Sequence, residues 1–273
     1  MKKLIVLILS LVFMTAALVG CSGDTDQGQA PADQDQKLAV GATAKPHAEI
    51  LEVVKPVLEA DGVELEIKEF TDYVLLNPSL KDGEIDANFF QHIPYLDDYN
   101  SQNQADLKWI AKIHNEPMGV YSKTLTDVNE LSDGAKVGIP NDATNGGRAL
   151  MVLESAGLIT LAEGVGVQAT EQDIAENPKE IVITMMDAAM LPRALEDLEL
   201  CVINSNYALE ANLNPVKDSI FMEPKDSPFA NVLVVRPEDE NKESIQKLVK
   251  AMQSPEVKEF LETNYPDSCV PSF

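Results

Sequence analysis

The chain has 273 residues, with 45 Asp and Glu against 21 Lys and Arg and a formal net charge of −24. That acidity excludes nucleic acid as a partner, because affinity there rests on cations meeting phosphates, and otherwise describes a well-solvated surface. The length suits one large or two modest cores.

The chain opens MKK and continues as an apolar run from Leu4 to Val19, broken by Ser10 and Thr15 and followed by Gly20-Cys21. A basic start, a short apolar stretch and small residues at the end describe a secretory signal peptide over residues 1–20. Leu-Val-Gly-Cys resembles a bacterial lipobox, which implies lipidation of Cys21 and a lipid-anchored place on the extracytoplasmic face of the cell membrane. The competing reading is an uncleaved anchor, since the run is near the lower end of spanning length. Residues 21–36 hold no branched aliphatic or aromatic side chain, so they bury nothing to offset ordering entropy and read as a tether. As a flexible coil it reaches roughly 20 Å.

From Lys37 onward, strand-like runs alternate with helical patterns. KLAVGA precedes AEILEVVKPVLEA, VELEIKEF precedes the amphipathic YVLLNPSL, and EIDANFF precedes PYLDDYNSQ, with LKWIAKI after them. Farther on come AKVGIP and NGGRALMVLESAG, EIVITMM and AAMLPRALEDLE, LCVINS and NYALEANL, NVLVVR and ESIQKLVKAMQ. Such alternation predicts parallel sheets covered by helices, here as two α/β lobes with a cleft. Ligands in open α/β sheets gather outside the carboxyl ends of strands, so the residues that follow each strand are the candidates.

IDANFFQHIPYLDDYN gathers Phe89, Phe90, Tyr95, Tyr99 and His92 at one strand end. Period-2 alternation sends one of Phe89 and Phe90 into a core, while His92 and Tyr95, three apart, share a face near a helix start. In VGIPNDATNGGRAL, Asn145 and Arg148 are three apart at another helix start, whose free N–H groups favour an anion. Arginine there opposes the helix dipole unless an anionic partner joins it. Asn204 and Asn206 of VINSNY and Asn231 of SPFANVLVV can donate and accept, which suits a zwitterion. Each residue also has an ordinary alternative: a structural histidine, a solvated arginine, turn asparagines.

His47, His92 and His114 lie 45 and 22 residues apart with no His-rich loop, a weak metal signal. No metal site or cofactor is expected. G-x-S-x-G, H-E-x-x-H and phosphate-loop patterns are absent from the sequence, which speaks against an enzyme. Cys201 and Cys269 could form a bridge, although the apolar run LCVI makes a buried thiol the commoner fate for Cys201.

Together, EFTDYVLLNPSLKDGEIDANFFQHIPYLDDYN, EPMGVYSK, VGIPNDATNGGRAL, LPRALED, VINSNYA and KDSPFANVLVV closely resemble the methionine-binding lipoprotein family. The resemblance implies a two-lobed, monomeric clamshell of the periplasmic-binding-protein kind that delivers substrate to an ABC permease driven by an ATPase. It implies that Tyr73, Phe90, His92 and Tyr95 line a side-chain pocket, that Arg148 grips a carboxylate, and that Asn145, Asn204 and Asn231 hold the amino-acid head. A thioether contacts ring edges favourably, which gives the aromatic cluster a use. Lobe 1 is then expected at residues 37–118 and 226–273 and lobe 2 at 119–225, with crossing strands near GVYSK and IFMEP. Met185, Met186 and Met190 stand where the family more often has Leu or Gln. L-methionine, D-methionine and methionine-containing dipeptides remain alternatives, with metal capture a more distant one.

Overall fold

The computed structural model describes residues 36–273, so the expected signal peptide, Cys21 and nearly all of the tether lie outside the described residues. The apolar and β-branched runs form strands β1 Lys37–Ala42, β2 Glu64–Glu69, β3 Ala87–His92, β4 Lys108–Asn115, β5 Gly119–Tyr121 and β6 Lys136–Pro140. After these come β7 Thr160–Leu161, β8 Ile174–Glu176, β9 Val182–Met186, β10 Leu200–Ile203, β11 Ser219–Met222, β12 Ala230–Val235 and β13 Val270–Pro271. One sheet runs β13-β4-β12-β3-β1-β2, a second runs β11-β5-β10-β6-β9, and β7 pairs with β8. No helix among the described residues is long and apolar enough to cross a membrane.

The sheets are mixed rather than wholly parallel. β1 is parallel to β2 and β3, and β6 is parallel to β9 and β10. β12, however, runs antiparallel to both β3 and β4, and β5 antiparallel to β10 and β11. The cause is connectivity: the chain leaves the first sheet at the end of β4 and returns to the same edge of the cleft at the start of β12, so β12 must run the other way. GVYSK and IFMEP supply β5 and β11, paired within the second sheet. The passages between the sheets are the short segments from Glu116 to Met118 and from Glu223 to Phe229.

Both central strands of the first sheet, β3 and β12, are buried along their whole length. Alternate residues of β12 therefore feed different cores. Leu233 and Val235 join Val40, Leu51, Phe89 and Leu248 on one face, while Val232 and Val234 join Leu80, Ile85 and Leu96 on the other. The second sheet has its own core around Val137, Ile139, Leu150 and Leu153. A further cluster, with Tyr73, Phe90, Tyr121, Leu191, Ile203 and Tyr207, draws on residues from both lobes. Cys201 belongs to that cluster and Cys269 to the first core, and both are free thiols. The bridge that the sequence left open is not made.

Helix Ala143–Ser155 brings Arg148 to the cleft. The same helix packs tightly on the turn Gly166–Gln168 because of Gly147: a Cβ there would sit 2.1 Å from the Val167 carbonyl oxygen. Only a residue without a side chain permits that approach.

Candidate functional site

The eight residues singled out from the sequence, Tyr73, Phe90, His92, Tyr95, Asn145, Arg148, Asn204 and Asn231, all line one cavity between the lobes, with an empty volume of about 340 Å³. Its lining also includes His47, Gln91, Glu116, Ser205 and Asn206.

Strand alternation divides the Phe-Phe pair, sending Phe89 into the first core and Phe90 to the cavity. Tyr73 opens a short helical turn capped by the Asp72 side chain, and Tyr95 stands in the first turn of helix Ile93–Asn103. The ring centroids of Tyr73 and Phe90 are 5.6 Å apart, those of Phe90 and Tyr95 5.6 Å, and those of Tyr73 and Tyr207 4.7 Å. Tyr207 was not singled out in the sequence, although it follows Asn206 directly. Tyr73 Oη donates to Asn206 Oδ1, which ties one lobe to the other.

His92 acts as a helix cap rather than as a partner on the helix face. Its Nδ1 accepts from Tyr95 N at 3.2 Å, so its proton is on Nε2, which lies 3.2 Å from Asn145 Oδ1. Burial, reinforced by the Arg148 charge, lowers its pKa to about 3. Neutral His92 thus links β3 to the second lobe.

Asn145 is occupied at both ends of its amide. Its Nδ2 donates to Asp142 Oδ1 and Oδ2 at 3.0 and 3.1 Å, and its Oδ1 also accepts from Asn204 Nδ2 at 2.9 Å. The helix start is likewise not open to a ligand anion, because Asp142 caps it by accepting from Asn145 N. Asn204 Oδ1 remains buried without a partner among the described residues.

Arg148 is 3% exposed, and the anionic partner that its position calls for is Glu223. Nε donates to Glu223 Oε1 at 3.1 Å, and Nη2 donates both to Glu223 Oε2 and, at 2.8 Å, to the Glu116 carbonyl oxygen. The Phe229 ring lies under the guanidinium, 4.2 Å from Cζ. Nη1 has no partner among the described residues. The side edge of the fork is therefore taken by the protein, and Nη1 is what the guanidinium offers the cavity. Glu116 and Glu223 each follow a strand and precede a proline, Glu-Pro-Met and Glu-Pro-Lys. The sequence signal that could have found them is the need of a buried arginine for a carboxylate.

His47 and His114 come together with Glu116, while His92 turns to Asn145. His114 Nε2 is 2.7 Å and His47 Nε2 3.2 Å from Glu116 Oε1. These three are the residues with ligand atoms close enough to hold a metal ion among the described residues. Burial pushes the Glu116 carboxyl upward, but His47, the His114 hydrogen bond and Arg148 outweigh it and hold it below the usual range. Burial lowers His47 to about 4 against the pull of Glu116. The cavity thus presents an anionic acceptor, a cationic donor, amides of both kinds and a ring-lined recess.

The chain is 43% identical over 244 residues to the "Probable D-methionine-binding lipoprotein MetQ" of Vibrio cholerae, covering 89% of this chain and 88% of that one. A nutrient-binding protein from Burkholderia cenocepacia, solved bound to methionine, superposes with a TM-score of 0.84 at 45% identity over 86% of this chain and 100% of that chain. The methionine-binding protein MetQ superposes with a TM-score of 0.85 at 39% identity over 88% of this chain and 99% of that chain. The two-lobed α/β binding-protein fold is therefore shared. The NlpA lipoprotein model matches residues 38–273, and the chain belongs to that family.

Proposed function

We propose that this protein is a solute-binding lipoprotein that captures methionine and passes it to an ABC permease and its ATPase, held at the membrane through lipidated Cys21. The observation that carries the reading is the pairing, in one cavity, of the charged groups a zwitterion needs with a wall of aromatic rings. The ligand carboxylate meets Arg148 Nη1 and the Asn231 amide, and the α-ammonium meets Glu116 Oε2 and the unpartnered Asn204 Oδ1. The thioether lies among Tyr73, Phe90 and Tyr95, where sulfur–ring contacts contribute about 0.3–1.5 kcal/mol each. The lobes, residues 37–118 with 226–273 and residues 119–225, close over the ligand through the His92–Asn145 and Tyr73–Asn206 contacts.

Isothermal titration of ligand-stripped protein with methionine, norleucine, leucine and glycyl-methionine tests this. Methionine should bind most tightly, norleucine less for want of sulfur, and leucine less again because its branch crowds a slot for a straight chain. Absence of heat with both isomers of methionine and with the dipeptide, after verified stripping, refutes it.

A further inference from the structure

We propose that His47 and His114 are positioning residues that fix one oxygen of Glu116, so that the other faces the cavity as the acceptor for a ligand's free α-ammonium. The pair then sets a requirement for an unblocked amino group. This inference rests on the methionine reading and adds to it the source of amino-group specificity.

Three neighbouring strands supply the arrangement. In the register of the first sheet Asn231 of β12 stands opposite His92 of β3 on one side and His114 of β4 on the other. His47 comes from the turn that follows β1, and its Nδ1 is 2.7 Å from Thr43 Oγ1. Phe89 wedges against both imidazoles edge-on, with centroids 4.7 Å from His47 and 5.5 Å from His114. Neither ring is free to turn.

The proton positions follow from the partners. An ionised carboxylate can only accept, so His114 Nε2, 2.7 Å from Glu116 Oε1, carries a hydrogen. His114 Nδ1 is buried without a partner among the described residues, and a hydrogen placed there would be an orphaned donor. His47 Nε2 is 3.2 Å from both Asn231 Oδ1 and Glu116 Oε1, two oxygens that call for a donor between them. Thr43 Oγ1 then donates to Nδ1. Both rings are thus neutral donors at Nε2, and one of them also orients Asn231.

Neutrality is what makes the device useful. A lysine or arginine on Oε1 would cancel the charge of Glu116, whereas two imidazole N–H groups hold the carboxylate and leave it anionic for a cationic ligand group. Glu116 Oε2 has no partner among the described residues, and Glu116 lines the cavity. The rival use of the three side chains is a divalent metal site. It needs both Nε2 lone pairs, and ligating imidazoles almost always have a partner on the second nitrogen, which His114 lacks.

The test is titration of full-length, ligand-stripped protein with methionine, with its desamino analogue 4-(methylthio)butanoate and with N-acetylmethionine. His114→Leu should weaken methionine by about tenfold or more while leaving the desamino acid nearly unchanged, and His47→Leu, which also releases Asn231, should weaken both ligands, methionine the more. His114→Gln, which restores an N–H donor, should recover most of the loss. Glu116→Gln should show the same selective loss, and its combination with His114→Leu should add little. Equal loss for methionine and the desamino acid, or no loss, overturns the proposal. Should the leucine variants fail to fold, the long-range ¹H–¹⁵N spectrum of the parent decides: Nε2–H in both rings supports the proposal, and Nδ1–H or a doubly protonated ring in either overturns it. Tight zinc binding that needs both histidines and competes with methionine also overturns it. A parent that binds neither methionine nor the desamino acid refutes the methionine reading itself, whereas a parent that binds methionine with the histidine variants indifferent refutes this inference alone.

Discussion

Lowering the pH from 7.5 to 5 should weaken methionine binding, with His92 as the cause. In the closed form His92 is buried beside Arg148 with a pKa of about 3, and its Nε2–H bridges to Asn145 on the other lobe. Opening the cleft returns the ring to water, where an imidazole titrates near 6.5. A group whose pKa is depressed in the closed form binds its proton preferentially in the open form. Closure must then expel that proton at any pH below the open-state value, so the penalty is absent above about pH 7.5 and grows as pH falls toward the closed-state value. Linkage gives a factor of 1 + 10^(6.5 − pH), about thirtyfold at pH 5. Asp142, whose pKa burial raises, works in the opposite sense, and Glu116, held low, stays ionised over most of the window. His92→Gln keeps a donor for Asn145 but cannot titrate, so comparing the two proteins isolates the histidine. Calorimetric titration at half-unit intervals from pH 7.5 to 5 is the assay. A flat profile in the parent, or an equal slope in His92→Gln, refutes the reasoning.

Other consequences are open to direct measurement. Glu223→Ala leaves Arg148 buried with its side edge unpaired, and breaking such a buried pair should cost about 3–5 kcal/mol of stability by urea titration; an unchanged midpoint would show that the pair is not formed. Gly147→Ala drives a Cβ against the Val167 carbonyl oxygen and should destabilise by about 1–3 kcal/mol, with methionine affinity falling too because Arg148 shifts with its helix. Cys21→Ser should abolish incorporation of a clickable fatty acid, and labelling as strong as in the parent would remove the proposed anchor.

Much of this architecture is local and therefore legible without coordinates. KLAVGA is a strand over Lys37–Ala42 as its pattern requires, the Phe89–Phe90 alternation separates core from cavity, and Pro94 stands at the start of the helix after β3. Of the eight cavity residues, Phe90, His92, Tyr95, Asn145, Arg148, Asn204 and Asn231 stand out in the sequence beside strand boundaries or helix starts, whereas Tyr73 is marked only by the resemblance to the methionine-binding lipoproteins. Tertiary structure decided whatever depends on residues distant in the chain. Asn145 looks like a ligand contact until Asp142 and Asn204 occupy its amide, and Arg148 looks like an open fork until Glu223 arrives from 75 residues away. His47 and His114 have no spacing that joins them. They meet on Glu116 because β12 is inserted between β3 and β4 and the turn after β1 packs against the same sheet. Periodicity specifies which face a side chain takes on its own strand, but only the register between strands and the return of the chain across the cleft specify which charges meet.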